Sequence, residues 1–169
     1  MKALIKTLGC SLLLTASMSA NADWSVSGGF TSFQDDIDSS ESLSLGALHG
    51  GLGYTFDRGN FTFMPELRVG FGVGDDSAYG LDVEVDNLVI ASVRGQYNVN
   101  DSFGIFVQPS YGRLEVSANG SGASFSGGDW ETGIGTGASY KLGKNASIEA
   151  MYEQFDSTDV VSFSFRYTF

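Results

Sequence analysis

The chain has 169 residues, of which 13% are aromatic, with 20 Asp/Glu against 9 Lys/Arg, a formal charge of −11 and a single cysteine. A negative surplus of this size repels phosphate backbones and excludes nucleic acid as a partner. The aromatic content, with apolar residues at every second position along much of the chain, excludes an acidic disordered segment.

Residues 1–22 read as a cleaved signal peptide. Lys2 and Lys6 give a positive start, Leu4 to Met18 is apolar with small residues mixed in, and Ala20-Asn21-Ala22 supplies the small residues that signal peptidase requires. A membrane anchor would need about 20 apolar residues, which this stretch lacks. A lipoprotein signal would close its apolar stretch on the acylated cysteine, whereas Ser11-Leu12-Leu13-Leu14 continues beyond Cys10. Cleavage after Ala22 leaves 23–169 as one domain without cysteine, so disulfides and thiolate metal sites are excluded. Lys2 and Lys6 leave with the leader and no acid does, which takes the remainder to −13.

The rest of the chain is expected to form eight strands: 24–34, 44–56, 61–73, 81–99, 103–118, 123–142, 146–155 and 160–169. Side chains on a strand point to alternate faces. The first two strands alternate least cleanly. In 61–73, Phe61, Phe63, Leu67, Val69, Phe71 and Val73 share one face against Thr62, Glu66, Arg68, Gly70 and Gly72. Strands 81–99 and 103–118 exceed the about 9–11 residues that cross a bilayer. In 130–142, Trp130, Ile134, Ala138, Tyr140 and Leu142 oppose Glu131 and a series of glycines. Ile148, Ala150 and Tyr152 then oppose Glu149 and Glu153. Along 161–169, Val161, Phe163, Phe165, Tyr167 and Phe169 oppose Ser162, Ser164, Arg166 and Thr168. Pro65 and Pro109 each remove a ladder donor, which suggests bulges or strand-edge positions.

The links 57–60, 100–102 and 143–145 are short and rich in turn formers. The others, 35–43, 74–80, 119–122 and 156–159, lie at the opposite end. With both termini periplasmic, the short turns are periplasmic and the second set faces outside. The polar faces collect Glu66, Arg68, Arg94, Glu131, Glu149, Glu153 and Arg166, with Arg166 expected to point inward among Glu131, Glu149 and Glu153. An eight-strand interior is only wide enough for side chains. It cannot hold the aromatic faces as well, so those faces belong in lipid. Backbone in hydrocarbon without helices must close on itself. The expected fold is all-β: an eight-stranded antiparallel up-and-down transmembrane β-barrel. Two aromatic girdles are expected, Trp24, Tyr54, Phe56, Phe61, Tyr97, Phe103, Tyr140, Tyr167 and Phe169 near the short turns, and Phe33, Phe71, Tyr111, Trp130 and Phe155 toward the other end.

Chemistry is sparse. His49, the only histidine, would have to be the base of any hydrolytic arrangement, yet His49-Gly50-Gly51 lacks an adjacent serine and reads as an ordinary strand residue. Acids gather in the outer links as Asp35, Asp36, Asp38 and Glu41, then Asp75, Asp76, Asp82, Glu84 and Asp86. Their spacing lacks the glycine and closing glutamate of a calcium loop, so a solvated acidic rim is expected. No catalytic residue, cofactor or metal is assigned.

Gly133-Ile134-Gly135-Thr136-Gly137-Ala138-Ser139-Tyr140, Tyr152-Glu153-Gln154 and the terminal Arg166-Tyr167-Thr168-Phe169 resemble the small outer-membrane β-barrels of the OmpX/Ail type, within the wider "porin family" barrel group. The resemblance covers most of the chain after the leader. It implies that Phe163, Phe165, Tyr167 and Phe169 are read by the barrel-assembly machinery, and that the protein sits among the lipids and lipopolysaccharide of the bacterial outer membrane as a monomer. The expected function is that of a non-enzymatic outer-membrane barrel with a structural or adhesion-like surface role through its outer loops and no large pore. The alternatives are an exported soluble β-barrel that binds a small apolar ligand and an outer-membrane lipid-modifying enzyme.

Overall fold

The computed structural model describes residues 24–38, 41–73, 75–78, 81–120, 123–156 and 158–169. Within these, the side chains of 35–38, 41–44, 75–78, 81–83, 118–120 and 123–125 are not described. The expected leader, 1–22, lies outside the described residues.

Eleven strand segments follow in chain order: β1 (Trp24–Asp38), β2 (Glu41–Tyr54), β3 (Phe56–Arg58), β4 (Phe61–Gly72), β5 (Asp75–Ala78), β6 (Leu81–Asn98), β7 (Phe103–Gly120), β8 (Ala123–Gly127), β9 (Trp130–Lys141), β10 (Ala146–Phe155) and β11 (Thr158–Thr168). Three of them prolong a neighbour. The β2–β4 pairing Gly53↔Glu66 and the β3–β4 pairing Phe56↔Phe63 belong to one register, broken only at Thr55. Arg113↔Trp130 and Val116↔Gly127 likewise put β8 and β9 on one line beside β7, interrupted at Gly128-Asp129. After a one-residue slip, β5 continues β4 along β6. The result is eight strands closed into an antiparallel barrel, in the ring order β1-β2-β4-β6-β7-β9-β10-β11 and back to β1. Closure leaves no sheet edge within the bilayer.

The ends of the barrel differ from the expectation. The outer links 35–43 and 74–80 are largely strand: β1 and β2 stay paired out to Asp38↔Glu41, and β5 pairs with β6 out to Ala78↔Leu81. Gly120↔Ala123 and Phe155↔Thr158 close the other two hairpins at that end. The turn after β10 places Asp156 at φ 32°, a left-handed conformation that Asp tolerates better than most residues. At the opposite end, Gly59 has φ 65° between the paired Arg58 and Phe61, the first central position of a two-residue hairpin, where glycine is favoured. Asn100 Oδ1 accepts hydrogen bonds from the backbone N–H groups of Ser102 (2.9 Å) and Phe103 (2.8 Å), which shapes the second short turn.

Neither proline sits at a bulge. Pro65 stays in register opposite Val93 and Pro109 opposite Ile134. The register shifts fall instead between Asp36 and Asp38 and between Val85 and Asn87. Beside Pro109 the β6–β7 ladder skips from Ser92↔Ser110 to Gly95↔Val107 and resumes unchanged. The missing donor is absorbed by a local gap, because the surrounding closed ring holds both strands in place.

The outer surface carries the aromatic and aliphatic faces. Phe61, Phe63, Phe71, Ile134 and Phe163 are each more than half exposed, a continuous apolar band that a water-soluble protein would not sustain. Near the short turns, Trp24 packs edge-on against Tyr54 at 5.1 Å between ring centres, Tyr54 against Phe56 at 4.7 Å, and Tyr167 against Phe169 at 5.3 Å. Toward the hairpin end, Tyr111 stacks on Trp130 at 5.0 Å. Phe33 and Phe155 do not join that girdle. Both are buried inside the barrel, because they share the parity of the inward residues Thr31 and Glu153.

Candidate functional site: the two halves of the barrel interior

The half of the interior nearer the short turns is ionic. Inward positions of β4, β6, β10 and β11 bring together Glu66, Arg68, Arg94, Glu149, Glu153 and Arg166, all buried. Arg166 Nη2 donates to Glu66 Oε1 at 2.7 Å, and its Nε donates to Glu149 Oε1 at 2.9 Å. Arg94 Nη1 lies 2.8 Å from the same Glu149 oxygen and 3.9 Å over the Phe106 ring. Arg68 Nη2 reaches both oxygens of Glu153 at 2.9 Å. Three guanidinium groups thus face three carboxylates, and the planar fork of arginine lets Arg94 and Arg166 each serve more than one partner.

Neutral side chains complete the network. Ser27 donates to Glu66 at 3.0 Å, Arg166 Nη1 donates to Ser25 at 3.2 Å, and Ser110 donates to Glu153. Gln108 accepts from Arg94 Nε at 2.9 Å and donates to Ser92 at 3.1 Å. Taking six ions out of water is costly unless their remaining hydrogen-bonding capacity is met. Here only Glu66 Oε2 and Arg68 Nε, among the described buried side-chain atoms, lack a hydrogen-bond partner. Small residues create the space: a Cβ on Gly51 would meet Glu66 Oε1 at 2.7 Å.

The partners differ in detail from the sequence expectation. Arg166 binds Glu149 and Glu66, Glu153 belongs to Arg68, and Glu131 lies among the residues lining a cavity at the hairpin end. Gln108, Ser92, Ser110, Ser25 and Ser27 were not singled out from the sequence, although their even spacing on the polar faces of β1, β6 and β7 carried the signal. Asp35, Asp36, Asp38, Asp75 and Asp76 fall on β1 and β5, and their side chains lie outside the described residues. Phe163, Phe165 and Tyr167 point outward on β11, each two-fifths or more exposed.

His49 marks the boundary of the ionic half. Its Nδ1 is 2.9 Å from Thr31 Oγ1, which is in turn 2.9 Å from Ser162 Oγ. All three are buried, at 8%, 4% and 2% exposure, so neither hydroxyl is presented to a substrate. Beyond them the interior turns apolar: Phe33, Leu45, Ala47, Val85, Leu88, Ile90, Phe155 and Val160 form one cluster, with Leu114 and Val116 packed against it. The charged residues expected to line the lumen therefore fill only part of its length. Within this apolar half is a cavity of about 310 Å³ opening toward the hairpin end, with Arg113, Asp129 and Glu131 among its lining residues.

A family model described as the outer membrane protein beta-barrel domain matches residues 7–169. No curated protein matches the chain. Among solved structures, the chain is similar to Ail, the attachment invasion locus protein of Yersinia pestis, at 15% identity and a TM-score of 0.65, over 89% of this chain and 100% of that one. It is also similar to Neisserial surface protein A, at 14% identity and a TM-score of 0.65, over 89% of this chain and 100% of that one. The N-terminal β-barrel domain of Pseudomonas aeruginosa OprF matches at 12% identity and a TM-score of 0.64, over 88% of this chain and 98% of that one. At these identities the likeness establishes the fold.

Proposed function

The chain belongs to the outer membrane protein β-barrel domain family, as a small eight-stranded barrel of the OmpX/Ail type in the bacterial outer membrane, and from that premise we propose that it is a non-enzymatic surface-interaction protein without a large pore. The observation that carries this reading is a lumen closed by an ionic cluster beneath strands that outrun the bilayer. β6 and β7 each have 18 residues, against about 9–11 needed to cross, and their extensions carry β5 and β8. Among the described residues, β8 pairs only with β7. A strand with one unpaired side is suited to recognition by strand addition.

Charge narrows the partner. Ail has been captured with the heparin analogue sucrose octasulfate. At the hairpin end of this barrel, Glu84, Asp86, Asp129 and Asp156 are exposed, and Arg113 is engaged by Glu115 at 2.9 Å. Such a rim repels a sulfated polyanion, so the proposed partner is a neutral or basic surface. Replacing 118–125, the end of the β7–β8 hairpin, with a two-residue Asn-Gly turn should abolish binding of expressing cells to host or abiotic surfaces while leaving heat-modifiable gel migration intact. Unchanged adhesion would count against the proposal, as would tight binding of heparin.

The burial of His49, Thr31 and Ser162 supports a structural role for that chain rather than a lipid-modifying site. The exported soluble barrel is set aside by the lipid-facing apolar band. Residues 1–22 are proposed as the export signal for the 23–169 barrel. Phe163, Phe165, Tyr167 and Phe169 are proposed as the segment read by the assembly machinery, with lipopolysaccharide as the neighbouring lipid in the outer leaflet.

A further inference from the structure

We propose that the turn between β9 and β10, with the groove beside it on the lipid face, is a binding site for one anionic glycerophospholipid of the periplasmic leaflet. The surface role concerns the opposite end of the barrel, so this site is independent of it. The groove, about 540 Å³, is floored by Ala138 and Ala150 and flanked by Tyr140, Ile148, Phe163 and Phe165. Ala138 and Ala150 lie opposite each other on β9 and β10, and Tyr140, Ile148 and Phe165 form the next row toward the turn. Two methyl groups among large exposed side chains thus leave a depression in the apolar band. An acyl chain seated there gains dispersion contacts on its flanks that a chain against a flat part of the band lacks.

Charge selects the head group. Beyond the leader, Arg68, Arg94, Arg113 and Arg166 are engaged by carboxylates. The remaining cations, Arg58, Lys141 and Lys144, are exposed and lie at the short-turn end. Arg58 follows Asp57 in its turn, whereas Lys141-Leu142-Gly143-Lys144-Asn145 holds two cations and no acid. Among the described residues, neither lysine takes part in an ion pair. The Lys141 N–H donates to the Ser102 carbonyl of the adjoining turn at 2.8 Å, and that turn contributes a single acid, Asp101. A local cationic surplus therefore stands beside the groove in a chain that is acidic as a whole.

The turn is also placed and shaped for a lipid head. Asn145 lies about 10 Å beyond Ile148 along the strand, which carries it past the hydrocarbon edge into a headgroup layer about 5–8 Å deep. The turn is held to the rim by Leu142 N–H donating to the Ala146 carbonyl at 2.8 Å and Asn145 Nδ2 donating to the Thr168 carbonyl at 2.7 Å. A Cβ on Gly143 would meet nothing within 4 Å, so its outer side is open. Lysine stems lie along apolar surface while their ammonium groups reach the interface. A phosphatidylcholine head brings its own cation, so the net attraction goes to an anionic head.

The test is native mass spectrometry of the full barrel released from nanodiscs of equal phosphatidylglycerol and phosphatidylcholine with matched chains. One phosphatidylglycerol should be retained per barrel, at least about fivefold over phosphatidylcholine, and high salt should weaken the preference. Lys141→Gln with Lys144→Gln should make the two lipids equal, while Arg58→Gln at the other turn should change nothing. Ala150→Leu, which fills the groove floor, should lose the retained lipid with heat-modifiable migration intact. Ala138→Leu provides the same test if that variant fails to assemble. Glycerol phosphate, the head without its tails, should not displace the lipid. The proposal is overturned if the intact barrel shows no preference, if the double lysine variant keeps it, or if both groove-filling variants retain the lipid. Loss of the preference in Arg58→Gln would also overturn it, since a diffuse charge effect would then suffice. So would displacement by glycerol phosphate, since the groove would then play no part.

Discussion

The two halves of the barrel interior solve the same problem in opposite ways. Near the short turns, the space is closed by ions that satisfy one another: Arg166, Arg94 and Arg68 against Glu66, Glu149 and Glu153. Toward the hairpin end it is lined by Phe33, Leu45, Leu88, Ile90, Phe155 and Val160 and keeps a cavity. The ionic half tolerates no void, because an unpaired buried charge is expensive, whereas an apolar wall loses only contact energy beside an empty space. A half filled by ions and a half that keeps a cavity can therefore coexist in one narrow barrel.

Breaking the ionic half should have the largest effect. Arg166→Leu leaves Glu66 and Glu149 facing each other with only Arg94 between them, and a loss of about 3–5 kcal/mol is expected for removal of one member of a buried charge pair. Denaturant unfolding of the variant in lipid vesicles measures it. Replacing both Arg68 and Glu153, as Arg68→Met with Glu153→Leu, should cost less than either change alone, since no charge is then stranded. If the double variant were the worst, the pair would be contributing net attraction rather than merely avoiding a penalty.

The apolar half should be more forgiving. Leu88→Ala is expected to cost about 2 kcal/mol, the low end for such a truncation, because the site already borders a cavity and its neighbours have room to relax. A loss equal to that of Arg166→Leu would erase the contrast between the halves. Smallest of all, Gly59→Ala should cost about 1 kcal/mol from the left-handed backbone alone, since a Cβ there meets nothing within 4 Å. That change lies in a turn outside both halves and calibrates the scale.

Much of this architecture was legible in the sequence, and the reason is period two. A strand whose polar face reads Glu66, Arg68 and whose other face reads Phe63, Leu67, Phe71 can be placed only one way in a barrel too narrow for rings. The same rule, carried to its end, would also have placed Phe33 inward with Ser25, Ser27 and Thr31, and Phe155 inward with Glu149 and Glu153. Aromatic residues near strand ends also fit an interface, and at Phe33 and Phe155 parity overrides that preference. Leu88 was harder to place. The register shift between Val85 and Asn87 turns both Val85 and Leu88 inward, and no local pattern announces it. The pairing of Arg166 with Glu66, 100 positions apart, depends on ring closure and stagger, which alternation within single strands does not encode.

The central claim is that the ionic cluster closes the barrel, and planar-bilayer recording of the purified protein tests it most directly. The filled interior predicts no stable conductance step over prolonged recording at either polarity. Steady openings in the nanosiemens range would contradict it, because a current of that size requires a water-filled path through the space that Arg68, Arg94, Glu149, Glu153 and Arg166 occupy.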